Sequence, residues 1–148
     1  MTHEVRWVLL FTDGMAMTYP AEVYADEQRA AFEAERWAAI LAAERRVPIF
    51  RPFPGRWEVG DVWIRLVEAP VPDDVRDLWV GTHWTHHGYP EPEAALFANE
   101  EEARAWAVEQ PLRGTLVETE EDLWSFSAVF RLGDDEEHSH VQRAKVVY

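Results

Sequence analysis

The chain has 148 residues, with 28 Asp and Glu against 14 Lys and Arg, a formal charge of −14 with His neutral, and no cysteine. The missing cysteines exclude disulfide scaffolds, thiol catalysis and cysteine-ligated zinc, while 47% hydrophobic residues including 8 Trp supply a core that a disordered acidic tail lacks. The charge repels phosphate backbones and no basic stripe relieves it, so direct nucleic-acid binding is excluded and a basic protein partner is favoured.

A strand is expected over residues 4–12, where Val5, Trp7, Leu9 and Phe11 take one face and Val8 and Leu10 the other. After a turn-rich stretch, residues 22–25 read as a short return strand. Asp26 then reads as the N-cap of a helix running to about Arg46, with Ala30, Ala34, Trp37 and Leu41 recurring at helical spacing and Pro48 stopping the pattern. Two strands are expected next, over residues 47–53 and 57–68, with Pro54-Gly55 as the turn between them. The run Pro70-Val71-Pro72-Asp73-Asp74 reads as a linker.

The same grammar then returns: a strand over residues 78–86, a short strand over 94–98, a helix over 100–109 and two closing strands, 123–132 and 141–148, the last completing the second sheet. Residue types match as well. Trp7-Val8 answers Trp79-Val80, Tyr19-Pro20 answers Tyr89-Pro90, and Tyr24-Ala25-Asp26-Glu27 with Ala30 answers Phe97-Ala98-Asn99-Glu100 with Ala103; Asp61-Val62-Trp63 is paired with Asp122-Leu123-Trp124. The expected fold class is α+β, a tandem duplication of a ββαββ-like module whose antiparallel sheets are each packed by one helix. Its modules are residues 1–74 and 75–148, packed as one pseudo-symmetric domain because about 70 residues bury too little surface alone.

Residues 91–122 hold ten acids against Arg104 and Arg113, so an acidic face is expected there. Glu100, Glu101 and Glu102 have a structural role first: Asn99 as N-cap and Glu102 at the third helical position approximate a capping box. Trp37, Trp106, Trp63 and Trp124 are assigned to the core. Trp79 and Trp84, beside the acidic stretch, are candidate interface anchors with Glu100, Glu101 and Glu102.

Five of the six His fall in His83-Trp84-Thr85-His86-His87 and His138-Ser139-His140. His and carboxylate ligands suit zinc or iron. On a strand, His138 and His140 share a face about 6.6 Å apart, whereas His83 and His87 lie about 13 Å apart. A metal site would join His138 and His140 to His83, His86 or His87, with Glu136 or Glu137 as general base. Dinucleotide, P-loop and G-x-S-x-G signatures are missing, and Ser125 and Ser127 read as the polar face of a strand.

The favoured reading is therefore an acidic, non-enzymatic interaction protein, a regulator, inhibitor or charge mimic, that binds a basic protein partner. The rival is a metal-dependent enzyme at the His clusters. The opening residues Met1-Thr2-His3-Glu4 lack a signal-peptide pattern and no apolar run reaches about 18 residues, so a cytoplasmic protein without membrane contact is expected. Thirteen Arg against the single Lys145 suit a high-GC bacterial or phage gene.

Overall fold

The computed structural model describes residues 4–12, 17–85, 93–109 and 114–148, a mixed α+β chain with two sheets and two helices. No described helix is long and apolar enough to cross a membrane. The chain divides into two compact units, Val5–Ala69 with Val146–Tyr148, and Pro70–Lys145 with Glu4, whose carbonyl accepts from Val71 N–H at 2.8 Å.

The first unit contains β1 (Val5–Thr12), β2 (Met17–Tyr24), α1 (Glu27–Arg45), β3 (Ile49–Phe50), β4 (Arg56–Val59) and β5 (Val62–Pro70). The second contains β6 (Trp79–Thr85), β7 (Glu93–Phe97), α2 (Glu100–Val108), β8 (Thr115–Glu121), β9 (Ser125–Leu132) and β10 (Asp135–Arg143). A last short strand, β11 (Val146–Val147), joins the first sheet parallel to β2. The strand orders are β11-β2-β1-β5-β4-β3 and β7-β6-β10-β9-β8. Setting β11 aside, each unit is ββαβββ with its strands in the order 2-1-5-4-3.

Several expectations are thereby corrected. Residues 57–68 form a hairpin, β4 and β5, rather than one strand, so the module is ββαβββ and not ββαββ. The break lies at Gly60-Asp61, where Val59 faces Val62 and Gly60 holds φ +62°. Two-residue hairpins need such a positive φ, which glycine adopts without steric cost. Gly133-Asp134 does the same between Leu132 and Asp135, with Gly133 at φ +64°. Gly60 and Gly133 are therefore the equivalent turns, whereas Asp61-Val62-Trp63 lies at the β4–β5 turn and Asp122-Leu123-Trp124 at the β8–β9 turn. Residues 141–148 are not one strand either: β10 completes the second sheet, and the chain then returns to the first, where Ala25 N–H donates to the Val147 carbonyl at 2.9 Å.

Other matches hold in the pairing itself. Trp7 faces Tyr24 and Val8 faces Val23 in the first sheet; Trp79 faces Phe97 and Val80 faces Leu96 in the second. Both helices start at the expected caps, Asp26 accepting from Gln28 N–H and Asn99 from Glu102 N–H. Alanine lines both buried faces, Ala30, Ala34 and Ala38 on α1 and Ala103 and Ala107 on α2. With no side chain beyond Cβ, these helices approach their sheets closely.

In the second unit that approach sets a steric limit. A Cβ built on Gly81 would lie 2.7 Å from the Trp106 ring and 2.8 Å from Phe97. Gly81→Ala is expected to destabilise the chain by about 1–3 kcal/mol through overpacking, despite alanine's smaller conformational entropy loss, as read from the urea midpoint at unchanged slope.

Candidate functional site

On paired antiparallel strands, directly opposite residues share a face. Ser139 of β10 faces His83 of β6, and Glu137 stands two residues before Ser139, so all three emerge on one face, the one that also carries Val141 and Gly81. His83 Nε2 lies 3.1 Å from Glu137 Oε2, and its Nδ1 lies within hydrogen-bond distance of the Ser139 hydroxyl at 3.0 Å. All three side chains are buried, Ser139 fully.

The first unit shows what this position is without the polar groups. Counting 72 residues back along β6 and 73 along β10, its equivalents are Phe11, Ile64 and Leu66. Ile64 and Leu66 belong to the first apolar core and Phe11 packs against it. At the corresponding strand positions the second unit carries a Ser–His–Glu network where the first carries apolar side chains. The order of groups is that of a proton relay, and Ser139 has no exposed surface.

His138 and His140 emerge on the opposite face, facing Trp84 and Thr82. His138 Nε2 lies 3.6 Å from Glu136 Oε2, and His140 Nε2–H donates to Gln142 Oε1 at 3.0 Å. His83 is thus separated from the other two by the sheet itself. His86 and His87 fall outside the described residues. Among the described residues no group of three or more His, Asp or Glu is placed to hold a metal ion.

The acidic residues assemble differently. Glu100, Glu101 and Glu102 are exposed on the first turn of α2, and Glu102 closes the expected cap. Arg104 links that turn to the end of β8: its Nη2 lies 2.8 Å from Glu100 and its Nη1 2.5 Å from Glu121, with the guanidinium carbon 5.1 Å from the Phe126 ring centroid. These carboxylates raise the Arg104 pKa, the Glu121 hydrogen bond most of all. Trp79, an expected anchor, is 3% exposed in the core with Ala103, Ala107 and Val141. The Trp84 side chain lies outside the described residues. Trp124, expected in the core, is instead 59% exposed, and Leu123 is 85% exposed. The β8–β9 turn carries them outward, held by Asp122, which accepts from the Trp124 and Ser125 N–H groups at 2.8 and 3.1 Å. Those hydrogen bonds, with Trp124's the largest cause, lower the Asp122 pKa.

A cavity of about 660 Å³ in the first unit was not foreseen. One wall is the Glu27, Ala31 and Glu35 stripe of α1; the other is the 51–56 segment, and Trp7, Trp57 and Leu66 complete the lining. Arg51 donates to both Glu35 oxygens at 2.7 and 2.5 Å, and Trp57 Nε1–H donates to Glu35 at 2.7 Å. The Arg51 bonds, followed by that of Trp57, hold the Glu35 carboxyl below its ordinary pKa. The helical spacing of Glu27, Ala31 and Glu35 could have indicated this wall from the sequence.

No protein-family model, curated protein or solved structure matches the chain.

Two outcomes follow from the two polar faces. Glu137→Ile alone leaves the buried His83 ring without its carboxylate partner and is expected to cost about 1–3 kcal/mol. The triple variant H83F/E137I/S139A, which restores apolar character as in the first unit, is expected to be neutral or stabilising in the same denaturation assay. For His140, burial lowers the pKa below 6.5, against the smaller raising effects of Gln142 and Asp122. The unfolded chain therefore binds the proton more readily, so His140's contribution is complete above about pH 6.5 and is lost progressively as pH falls below that value through the lower folded-state pKa. Urea stability measured at pH 7.5 and 5.5 is expected to drop less in His140→Gln than in the parent.

Proposed function

We propose that this chain is an acidic, non-enzymatic interaction protein that takes an extended basic segment of a protein partner along the edge of its second sheet, and that its two units are copies of one ββαβββ module. The feature that supports the interaction reading is β8. It is the last strand in its sheet order, and all seven of its residues are exposed. Edge strands present unpaired backbone groups, and an added strand satisfies them while alternate side chains supply specificity. Glu118, Glu120 and Glu121 lie along β8, and the exposed Leu123 and Trp124 follow it, so acids are set beside apolar contact area. Arg104 ties this edge to Glu100, which brings Glu101 and Glu102 into the same acidic surface.

Chemistry also selects the partner. A second acidic edge is repelled by the three glutamates, whereas a strand with alternating Arg or Lys is attracted. The register shifts between Leu116 and Glu118, leaving Val117 as a bulge, so the regular ladder available for extension is residues 118–121. Duplication is supported by the shared strand order, the Trp7–Tyr24 and Trp79–Phe97 pairs, and the Gly60 and Gly133 turns. The metal-dependent alternative lacks an assembled ligand set among the described residues and is not carried further.

An eight-residue peptide alternating Arg and Val is the probe. It is expected to protect β8 amides from hydrogen exchange, to bind at least tenfold more weakly at 300 mM than at 50 mM salt, and to lose at least tenfold in affinity to the E118K/E120K variant. A peptide with Glu in place of Arg should not bind. Full affinity in the double variant would overturn the assignment to β8.

A further inference from the structure

The two units differ at a second corresponding place, where one holds a guanidinium and the other a cavity. In the second unit Arg104 lies one helical turn beyond Glu100, pairs with it, and sits over the Phe126 ring. Stepping back 73 residues gives Glu27 for Glu100, Ala31 for Arg104 and Phe53 for Phe126. All three line the cavity of the first unit. That unit has therefore kept the carboxylate and the ring and replaced the cation by a methyl group.

We propose that this cavity is a socket for an alkylguanidinium, filled by an arginine side chain of the basic protein partner. Flat guanidinium recognition needs a carboxylate in the plane of the head and an aromatic face against it. Glu27 is the carboxylate, and Trp7, Trp57 and Phe53 supply aromatic surface. The resident charges leave room for one more cation. Arg51 is engaged by Glu35, whose other bond goes to Trp57. Arg56 lies 3.8 Å from Glu58 and stacks on Trp63 at 4.9 Å. Phe53 already takes Arg65 at 4.9 Å to its centroid, and a ring has a second face. At about 660 Å³ the cavity falls in the range of roughly 300–1,000 Å³ typical of small-ligand sites, ample for an arginine head and stem.

The socket stands apart from β8; the mapping of Arg104 onto Ala31 rests on the proposed duplication, and the choice of a protein as the source of the guanidinium rests on the proposed interaction reading. The test is a titration of the full-length ¹⁵N-labelled chain with N-acetyl-arginine methylamide, followed through the Trp indole N–H signals. A saturable shift of the Trp57 indole is expected, with N-acetyl-lysine methylamide at least tenfold weaker. Ala31→Arg should abolish the shift by filling the socket as Arg104 does in the second unit, and Arg104→Ala should add a second saturable set of shifts. Glu27→Gln, at an exposed position that keeps the fold, should weaken binding at least tenfold and decides the matter if Ala31→Arg fails to fold. Equal response to lysine, or unchanged binding in Glu27→Gln, would overturn the socket. Methylguanidinium binding as tightly as an arginine embedded in a basic peptide would overturn the protein source. Because E118K/E120K should leave this titration unchanged, failure of the socket and failure of the β8 reading are separable.

Discussion

The reach of one helix over one sheet governs most of what distinguishes the two units. At about 1.5 Å per residue, the 19 residues of α1 extend roughly 28 Å and the 9 of α2 roughly 13 Å. Under α1 the apolar cluster continues from Trp7 and Tyr24 through Trp57, Ile64 and Leu66. Under α2 it comprises Trp79, Ala103, Ala107 and Val141, with Phe97, Trp106 and Phe126 against it. Two residues further along β6 and β10, the same face turns to His83, Ser139 and Glu137. A short helix therefore goes with a polar continuation of the core, and each polar group there needs its partner because burial without one is costly.

What the sequence revealed, and what it hid, divides along the same physical line. Local signals were legible. Asp26 and Asn99 cap because their side chains meet nearby backbone N–H groups, and Tyr24 to Ala30 and Phe97 to Ala103 repeat because one strand-to-helix joint is built twice. Register between distant strands was not. His138 and His140 share a face by simple alternation, but nothing local says that the other face of β10, with Glu137 and Ser139, meets His83. The Gly60-Asp61 hairpin did leave a trace: inward positions are odd at Trp57 and Val59 and even at Val62, Ile64 and Leu66. That change of phase marks a turn, and a single continuous strand cannot accommodate it. Two-residue β11 is too short to show any period, so its return to the first sheet was invisible.

Charge placement explains why an exposed edge can persist. An unprotected strand such as β8 invites pairing with copies of itself, and natural sheets commonly prevent this with charges and bulges. Here the bulge at Val117 and the acids at 118, 120 and 121 fill both roles. The bulge breaks the ladder for any incoming strand, whereas the acids work by repulsion between like charges and do not oppose a strand of opposite sign. On the proposed reading, the acids that guard the edge against self-association also select what can occupy it.

On the proposed duplication, equivalent positions in the two units act as internal controls, because the strand order around them is the same. At the core position Phe11, Ile64 and Leu66 show that the fold does not need polar groups there, so the His83, Ser139 and Glu137 network is specific to the second unit. At the helix start the comparison runs the other way. Arg104 shows that a cation between a first-turn glutamate and a phenylalanine ring is compatible with the frame, and the cavity beside Glu27, Ala31 and Phe53 is proposed as the matching place in the first unit. Both proposed sites, the acidic edge of one unit and the cavity of the other, would then take cations. A formal charge of −14 over 148 residues favours a cationic ligand over an anionic one at either proposed site.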